Sequence, residues 1–299
     1  MGGSWKGLKS VATGRDRLSK GKPRPVGVAT WRGFPPAYHF APVRSAPAEL
    51  NPQTDPRPAA LPPPMSHATE RRYPTAAAAS AALADELAAF LAQRLGEEGT
   101  ASLVLTGGRS PATLYRLLAE RHRGTLDWGR VHFFWGDERD VPAGDEQSNT
   151  RATAPLLDHV PADGERLHAW RTDLEHADCL AEMRDVLAEA ALPDDCFDVV
   201  LLGIGEDGHV ASLFPDDRPW LDLQAEAAPD LRHIPDSPKP PPSRYTFTLP
   251  RLNRSRRVVL LGFGDGKAGA VAGVLAGDPD LPASHARGLE RTELWRDGS

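Results

Sequence analysis

A histidine closes the glycine-rich run GIGEDGH (203–209), which directly follows the apolar stretch DVVLLG (198–203). At the carboxyl end of a buried strand, His209 would face a ligand, and an imidazole titrates near neutrality, as a general base must. An isolated histidine more often just hydrogen-bonds its own turn, but the strand-end position favours function here. Asp207 either orients that ring or caps the following turn, and spacing alone leaves both roles open. Gly203, Gly205 and Gly208 also satisfy G-x-G-x-x-G, so a dinucleotide turn has to be weighed. Its late place in the chain, the early Pro215 and the lack of a clear strand around the acidic Asp222 and Glu226 count against it.

Three further segments could handle an anion. TGGRSP (106–111) sets Gly107, Gly108, Arg109 and Ser110 between a strand and a helix start, where free amides and the helix dipole favour phosphate. An ordinary strand-to-helix turn has the same composition, and the Gly-Lys-Ser/Thr ending of a nucleotide-hydrolysing loop is missing. WGDERDVP (135–142) places Asp137 and Arg139 beyond another strand. A solvated charged loop would look alike, although a guanidinium fork matches phosphate or carboxylate. Arg244 precedes the strand-like YTFTL, and Lys267 follows GFGDG (262–266) at a helix start. Each cation alone reads as surface solvation. One cation per strand-end loop reads as a phosphate pocket.

The elements that must position these groups alternate in type. An Ala-rich helix is expected over 75–95, with Leu83, Leu87 and Leu91 on one face. Strands are expected at 101–106, 131–135, 198–203, 245–249, 257–263 and 292–296. Ser110-Pro111 opens a helix with proline at its first position, and Ser148 caps another running to about Leu157. Thr172-x-x-Glu175 reads as a capping box for a helix through about Ala191, and a last helix runs from about Lys267 to Ala276. Residues 215–243 are loop-rich, with PDSPKPPPS too proline-dense for a helix or central strand. Alternating helices and buried strands predict an α/β fold with a mostly parallel sheet. Ligands then bind outside the strands' carboxyl ends, where the loops after 106, 135, 203 and 263 should converge.

Composition divides the 299 residues in two. Residues 1–64 hold ten Lys/Arg against three Asp/Glu, a charge of +7, and 12 of the 29 prolines. Such a segment cannot bury enough apolar surface to offset its ordering entropy, so disorder is expected, and Met65 is a candidate start. A nucleic-acid arm lacks its aromatic stacking and dense basic run, and an organellar transit peptide lacks its serines and amphipathic helix. Residues 65–299 carry −13, which argues against nonspecific nucleic-acid binding but not against a local basic pocket. No apolar run approaches a membrane span of about 20 residues. Cys179 and Cys196 form no C-x-x-C, which excludes a disulfide framework and a cysteine zinc site and favours the cytoplasm.

In their order, LTGGRSPATLY, FFWGDERDVP with SNT at 148–150, FDVVLLGIGEDGHVASLFP, PKPPPSRYTFTLPRLN and GDGKAGAV resemble the glucosamine-6-phosphate isomerase/6-phosphogluconolactonase superfamily, and within it the lactonase branch. The similar stretches span about 75–297 and include nothing in 1–64. The resemblance implies one Rossmann-like, doubly wound domain over 65–299, with helices on both faces of the sheet. It implies no metal or organic cofactor, and hydrolysis of the lactone of 6-phosphogluconate in the pentose phosphate pathway. Its partner would be a small sugar-phosphate lactone, not nucleic acid or membrane, with the chain a monomer or weak homo-oligomer. His209 would activate water and return the proton to the departing ring oxygen, supported by Asp207. Arg139, Arg244 and Lys267 would hold the phosphate beside the amides of Gly107–Ser110, with Asp137 completing the substrate-binding set. Arg109 stands where the family usually has serine, so the hydroxyl contact passes to Ser110. The isomerase-deaminase branch carries a catalytic glutamate where this chain has Phe214, and an apolar ring cannot relay protons. A binding regulator without turnover would have no need of His209.

Overall fold

The computed structural model describes residues 68–216 and 229–298. The expectations for residues 1–64, and for Asp222 and Glu226, lie outside the described residues. Seven strands form a wholly parallel sheet: β1 (Thr69–Tyr73), β2 (Ala101–Leu105), β3 (Val131–Trp135), β5 (Leu167–His168), β6 (Phe197–Gly203), β9 (Ser255–Gly262) and β10 (Arg291–Asp297). Their spatial order is β1-β10-β9-β6-β2-β3-β5. From β2 the chain winds outward through β3 and β5, then returns to β6 and winds the other way. The switch lies between β2 and β6, where Leu103 faces Val199 and Val104 faces Val200. A doubly wound sheet opens its ligand crevice beyond the carboxyl ends of such a pair.

Packing follows from the sequence. Strands β2 and β3 are buried at every residue, as continuous apolar runs covered on both faces require. Helix α1 (Ala76–Glu98) starts at Thr75, whose hydroxyl accepts from Ala78 N, and ends at left-handed Gly99. It buries Leu83, Leu87, Leu91 and Leu95 on one face and packs on β1, β2 and β10. Among the described residues, no helix is long and apolar enough to cross a membrane.

A second, antiparallel sheet stands over the carboxyl end of β3. It contains β4 (Asp137–Arg139), β8 (Arg244–Phe247) and β7 (Leu231–Ile234), in the order β4-β8-β7. It corrects three expectations. Residues 137–139 are strand and not a solvated loop, the stretch 215–243, expected to be loop-rich, contains β7, and the strand expected at 245–249 is β8, set outside the main sheet.

Other boundaries shift for local reasons. The helix expected from Ser148 is two short ones, α3 (Asn149–Ala152) and α4 (Ala154–Leu157), with Pro155 in the first turn of the second. The capping box is absent: α5 (His176–Glu189) starts after Glu175 with no side-chain cap, and Thr172 Oγ1 donates to Val141 O. Helix α2 (Ala112–His122) has Pro111 as its N-cap, so it begins one residue later than expected, with the proline just outside its first position. Helix α6 (Leu249–Asn253) leads into β9, and α7 (Ala268–Ala276) begins just after Lys267. The closing strand, β10, lies inside the sheet between β9 and the unforeseen β1.

Candidate active site

A cleft of about 680 Å³ opens where the loops after β2, β3, β6 and β9 meet. Gly107, Gly108, Arg109, Ser110, Asp137, Arg139, His209, Arg244 and Lys267 all line it, and Asp207 stands behind His209. The structure therefore brings together the whole set singled out in the sequence.

The catalytic-type pair sits on a tight turn. Gly205 N donates to His209 O at 2.9 Å, Gly208 N donates to Gly205 O at 3.0 Å, and Gly208 has φ +84°. Asp207 Oδ1 lies 2.5 Å from His209 Nδ1 and accepts His209 N at 3.3 Å. With Nδ1–H donating to the carboxylate, Nε2 keeps its lone pair and is the basic atom. Burial alone would raise the Asp207 carboxyl. Its hydrogen bonds and charge interaction with His209, helped by Lys239, outweigh burial and hold it well below the usual carboxylate range. Gly205 makes room for the pair, since a Cβ there would fall 2.0 Å from His209 Nδ1 and 2.4 Å from Asp207 Oδ1. The fully buried Phe214 ring packs 4.5 Å from the imidazole and 5.5 Å from the Arg244 guanidinium.

Asp137, Glu206 and Asp297 line the same cleft as the cations. The register of β4 and β8 sets Arg139 directly across from Arg244, a like-charge pairing that disfavours the sheet unless an anion is shared. Arg244 is 3% exposed. Its Nε donates to Pro241 O at 2.9 Å, and its Nη2 to Lys239 O at 3.0 Å and Pro240 O at 3.1 Å. Nη1 has only Asp137 Oδ2 at 4.0 Å. Burial lowers this guanidinium from its ordinary value, Asp137 opposes the change, and Arg139 adds to it. Arg139 Nη1 donates to Gln147 O at 2.6 Å, while its buried Nε has no partner. Lys267 Nζ donates to Ser110 Oγ at 2.8 Å. Burial presses its ammonium down, Glu206 pulls it up, and Lys239 and Arg109 add repulsion.

Asp137 serves as a strut. Its Oδ1 accepts from Asn149 Nδ2 at 2.9 Å and its Oδ2 from Ser212 Oγ at 2.7 Å. Next to it, the buried Glu138 accepts the backbone N–H of Arg139, Asn149 and Thr150 at 2.7, 2.7 and 3.0 Å. Burial raises the Glu138 carboxyl against the pull of those donors. Asn149 thereby stands under Gly107, where a Cβ would fall 1.8 Å from its Oδ1. Asn149, Glu138 and Lys239 were not singled out for a role. Asn149 lay within the SNT of the resemblance, and the scarcity of lysine after residue 64 was the available signal for Lys239.

One other cluster among the described residues has metal-ligand residue types: Asp140, His176 and His233. Its two rings stack at 3.7 Å and 17°, so one must turn before both lone pairs could meet a single ion. His176 Nδ1 lies 2.7 Å from Tyr245 Oη, and His233 Nε2 lies 2.9 Å from Ser243 Oγ, which donates to Asp140 at 2.7 Å. The His176–Tyr245 bond and the stacking of His176 on His233 fasten α5 to the second sheet.

Residues 74–295 match the family described as glucosamine-6-phosphate isomerases/6-phosphogluconolactonase. A 6-phosphogluconolactonase of Streptomyces coelicolor is 44% identical over 213 residues, covering 66% of this chain and 79% of the relative. One from Mycobacterium tuberculosis is 40% identical over 228 residues, covering 72% and 89%. The solved 6-phosphogluconolactonase of Thermotoga maritima gives a TM-score of 0.68 at 29% identity, covering 77% of this chain and all of that one (100%). That of Trypanosoma brucei gives 0.66 at 26% identity, covering 77% and 96%.

Proposed function

The chain belongs to the glucosamine-6-phosphate isomerase/6-phosphogluconolactonase family, and on that premise we propose that it hydrolyses 6-phospho-D-glucono-1,5-lactone to 6-phospho-D-gluconate in the oxidative pentose phosphate pathway. The observation that carries this reading is one cleft holding both the Asp207–His209 pair and the cations Arg139, Arg244 and Lys267.

His209 Nε2 takes a proton from water as the oxygen attacks the lactone carbonyl carbon. The tetrahedral intermediate collapses by breaking the bond to the ring oxygen, which receives that proton from the imidazolium. Asp207 stabilises the transient imidazolium through Nδ1–H. Arg139, Arg244 and Lys267 hold the phosphate, aided by Ser110 and the amides of Gly107, Gly108 and Arg109 at the start of α2. Asp137 binds through Arg244 and Asn149, whose positions it fixes. Phe214 packs beneath the imidazole where the isomerase branch carries its carboxylate, which supports hydrolysis over aldose–ketose chemistry. No cofactor or metal enters this scheme.

Two free, buried cysteines, Cys179 and Cys196, accord with a reducing cytoplasm, where the enzyme acts on a small molecule as a monomer or weak homo-oligomer. The catalytic domain is residues 65–299, and 1–64 are a dispensable extension.

The test is phospholactone consumption by the purified full chain, with spontaneous hydrolysis subtracted. Loss faster than that background, with no interconversion of glucosamine 6-phosphate and fructose 6-phosphate, supports lactonase chemistry. Interconversion favours the isomerase branch. Binding of 6-phosphogluconate without any turnover makes the protein a sugar-phosphate-binding regulator.

A further inference from the structure

We propose that Lys239 is a positioning residue for the Asp207–His209 pair, a role that rests on the lactonase reading above. Lys239 lies in the proline-dense segment 235–243 and lines the cleft. Its Nζ is 3.2 Å from Asp207 Oδ2, the carboxylate oxygen that His209 leaves free. Its backbone carbonyl accepts Arg244 Nη2 at 3.0 Å and Ser237 Oγ at 2.7 Å. One short loop thus grips the buried phosphate-side guanidinium with its carbonyls and the catalytic-side carboxylate with its ammonium.

The chemistry gives that ammonium two effects. It fixes Oδ2, so Oδ1 stays aimed at Nδ1–H and Nε2 stays the basic atom. It also offsets part of the carboxylate charge. An unbalanced Asp207 would favour the imidazolium, which cannot accept a proton from water.

The other charged groups around the pair are placed differently. Arg244, from β8, and the imidazole both pack against the Phe214 ring, at 5.5 and 4.5 Å. Asp137, from β4, lies 4.0 Å from Arg244 and is held by Ser212 and Asn149. Glu206 packs toward Gly266, where its charge acts on Lys267. Lys239 alone among the described lysines and arginines makes an ion pair with Asp207.

The experiment compares the full-length wild type with Lys239→Met and Lys239→Arg. In Lys239→Met, the acid limb of kcat should move up by about half a pH unit, and kcat near neutrality should fall about two- to fivefold, as suits a half-exposed ion pair. Both changes should appear equally with phosphorylated and unphosphorylated gluconolactone, and Lys239→Arg should restore them. The His209 imidazole, assigned by loss of its signal in His209→Gln and titrated by NMR without substrate, should move the same way. An unmoved limb and an unmoved NMR titration overturn the proposal. A rise in KM confined to the phosphorylated lactone, with the limb unmoved, overturns it in favour of a phosphate contact. A moved NMR titration in a protein without lactonase activity keeps the positioning role and removes the lactonase reading instead.

Discussion

Lys267 Nζ donates to Ser110 Oγ across 2.8 Å, fastening the loop after β9 to the start of α2. The two residues lie 157 positions apart, and the β2–β6 switch brings their loops together. An ammonium has three donors, and Ser110 takes one, so the remainder can serve an anion.

Lys267 and Arg244 should respond differently to truncation, although both line the cleft. Lys267→Met should keep its melting temperature and weaken binding of the phosphorylated lactone about ten- to hundredfold, the value of a charged hydrogen bond to an anion. Unphosphorylated gluconolactone should be used nearly as before. Arg244→Ala should also lose stability, because the carbonyls of Lys239, Pro240 and Pro241 lose their donor. Melting curves and KM for the two lactones separate these outcomes. Equal losses on both lactones for Lys267→Met would remove it from the phosphate site.

Burial lowers the Lys267 ammonium from the ordinary lysine value. A lysine with a lowered pKa loses its charge at a lower pH than a free one, so its share of phosphate affinity is present on the acid side and fades as pH rises. Binding of 6-phosphogluconate should therefore weaken on the alkaline side before the ordinary lysine range, of about 10.4, is reached. The product is the right probe because the lactone hydrolyses by itself in base. Lys267→Met should flatten this limb, and an unchanged limb would assign it to another group.

The parallel sheet and the meeting of the four loops were legible because DVVLLG and VHFFW are continuous apolar runs, and a doubly wound sheet has one crevice. Strand β1 was not, because TERRY shows no apolar face. It is an edge strand paired with β10, where Tyr73 stacks on Trp295 and Arg71 pairs with Glu86 and Glu293 at 3.2 and 3.3 Å. The second sheet was hidden for a related reason. Residues 137–139 and 231–234 are short segments whose strand character comes from pairing with β8. The Arg139–Arg244 opposition is a matter of register between strands about a hundred residues apart, which periodicity cannot give. Asn149 and Lys239 reach the cleft through those same long-range pairings.

Gly205→Ala should cost turnover far more than stability. The new methyl carbon would fall 2.0 Å from His209 Nδ1 and 2.4 Å from Asp207 Oδ1, so the pair has to move apart or off the turn. A displacement of about 1 Å at a catalytic group is enough for roughly a hundredfold loss. Product affinity should stay close to wild type, since the cations do not touch that glycine. Retained kcat would show that the pair can shift without harm.

A chain shortened to begin at Met65 should keep its melting temperature and activity within error. The first described residue is Ala68, the first strand begins at Thr69, and the family match begins at residue 74. A clear fall in either measurement would show that the first 64 residues contribute to the fold or the site.

His209→Gln tests the base itself. Attack by neutral water on an ester carbonyl develops positive charge on the nucleophile, and a positioned base removes it for about 10²–10⁴-fold in rate, or roughly 3–5 kcal/mol. Glutamine preserves polarity and approximate reach, and its amide can still meet Asp207, but it cannot accept a proton at neutral pH. The variant should bind 6-phosphogluconate almost normally, lose at least about a hundredfold in turnover, and lose the acid limb of the pH profile. Spontaneous hydrolysis must be subtracted at each pH. A variant with most of its corrected turnover and the same acid limb would place the base elsewhere. Asp137 is poorly suited to replace it, since Asn149 and Ser212 already donate to both of its oxygens. Asp207 would then be the remaining carboxylate in the dyad, and Asp207→Asn the variant that abolishes the limb.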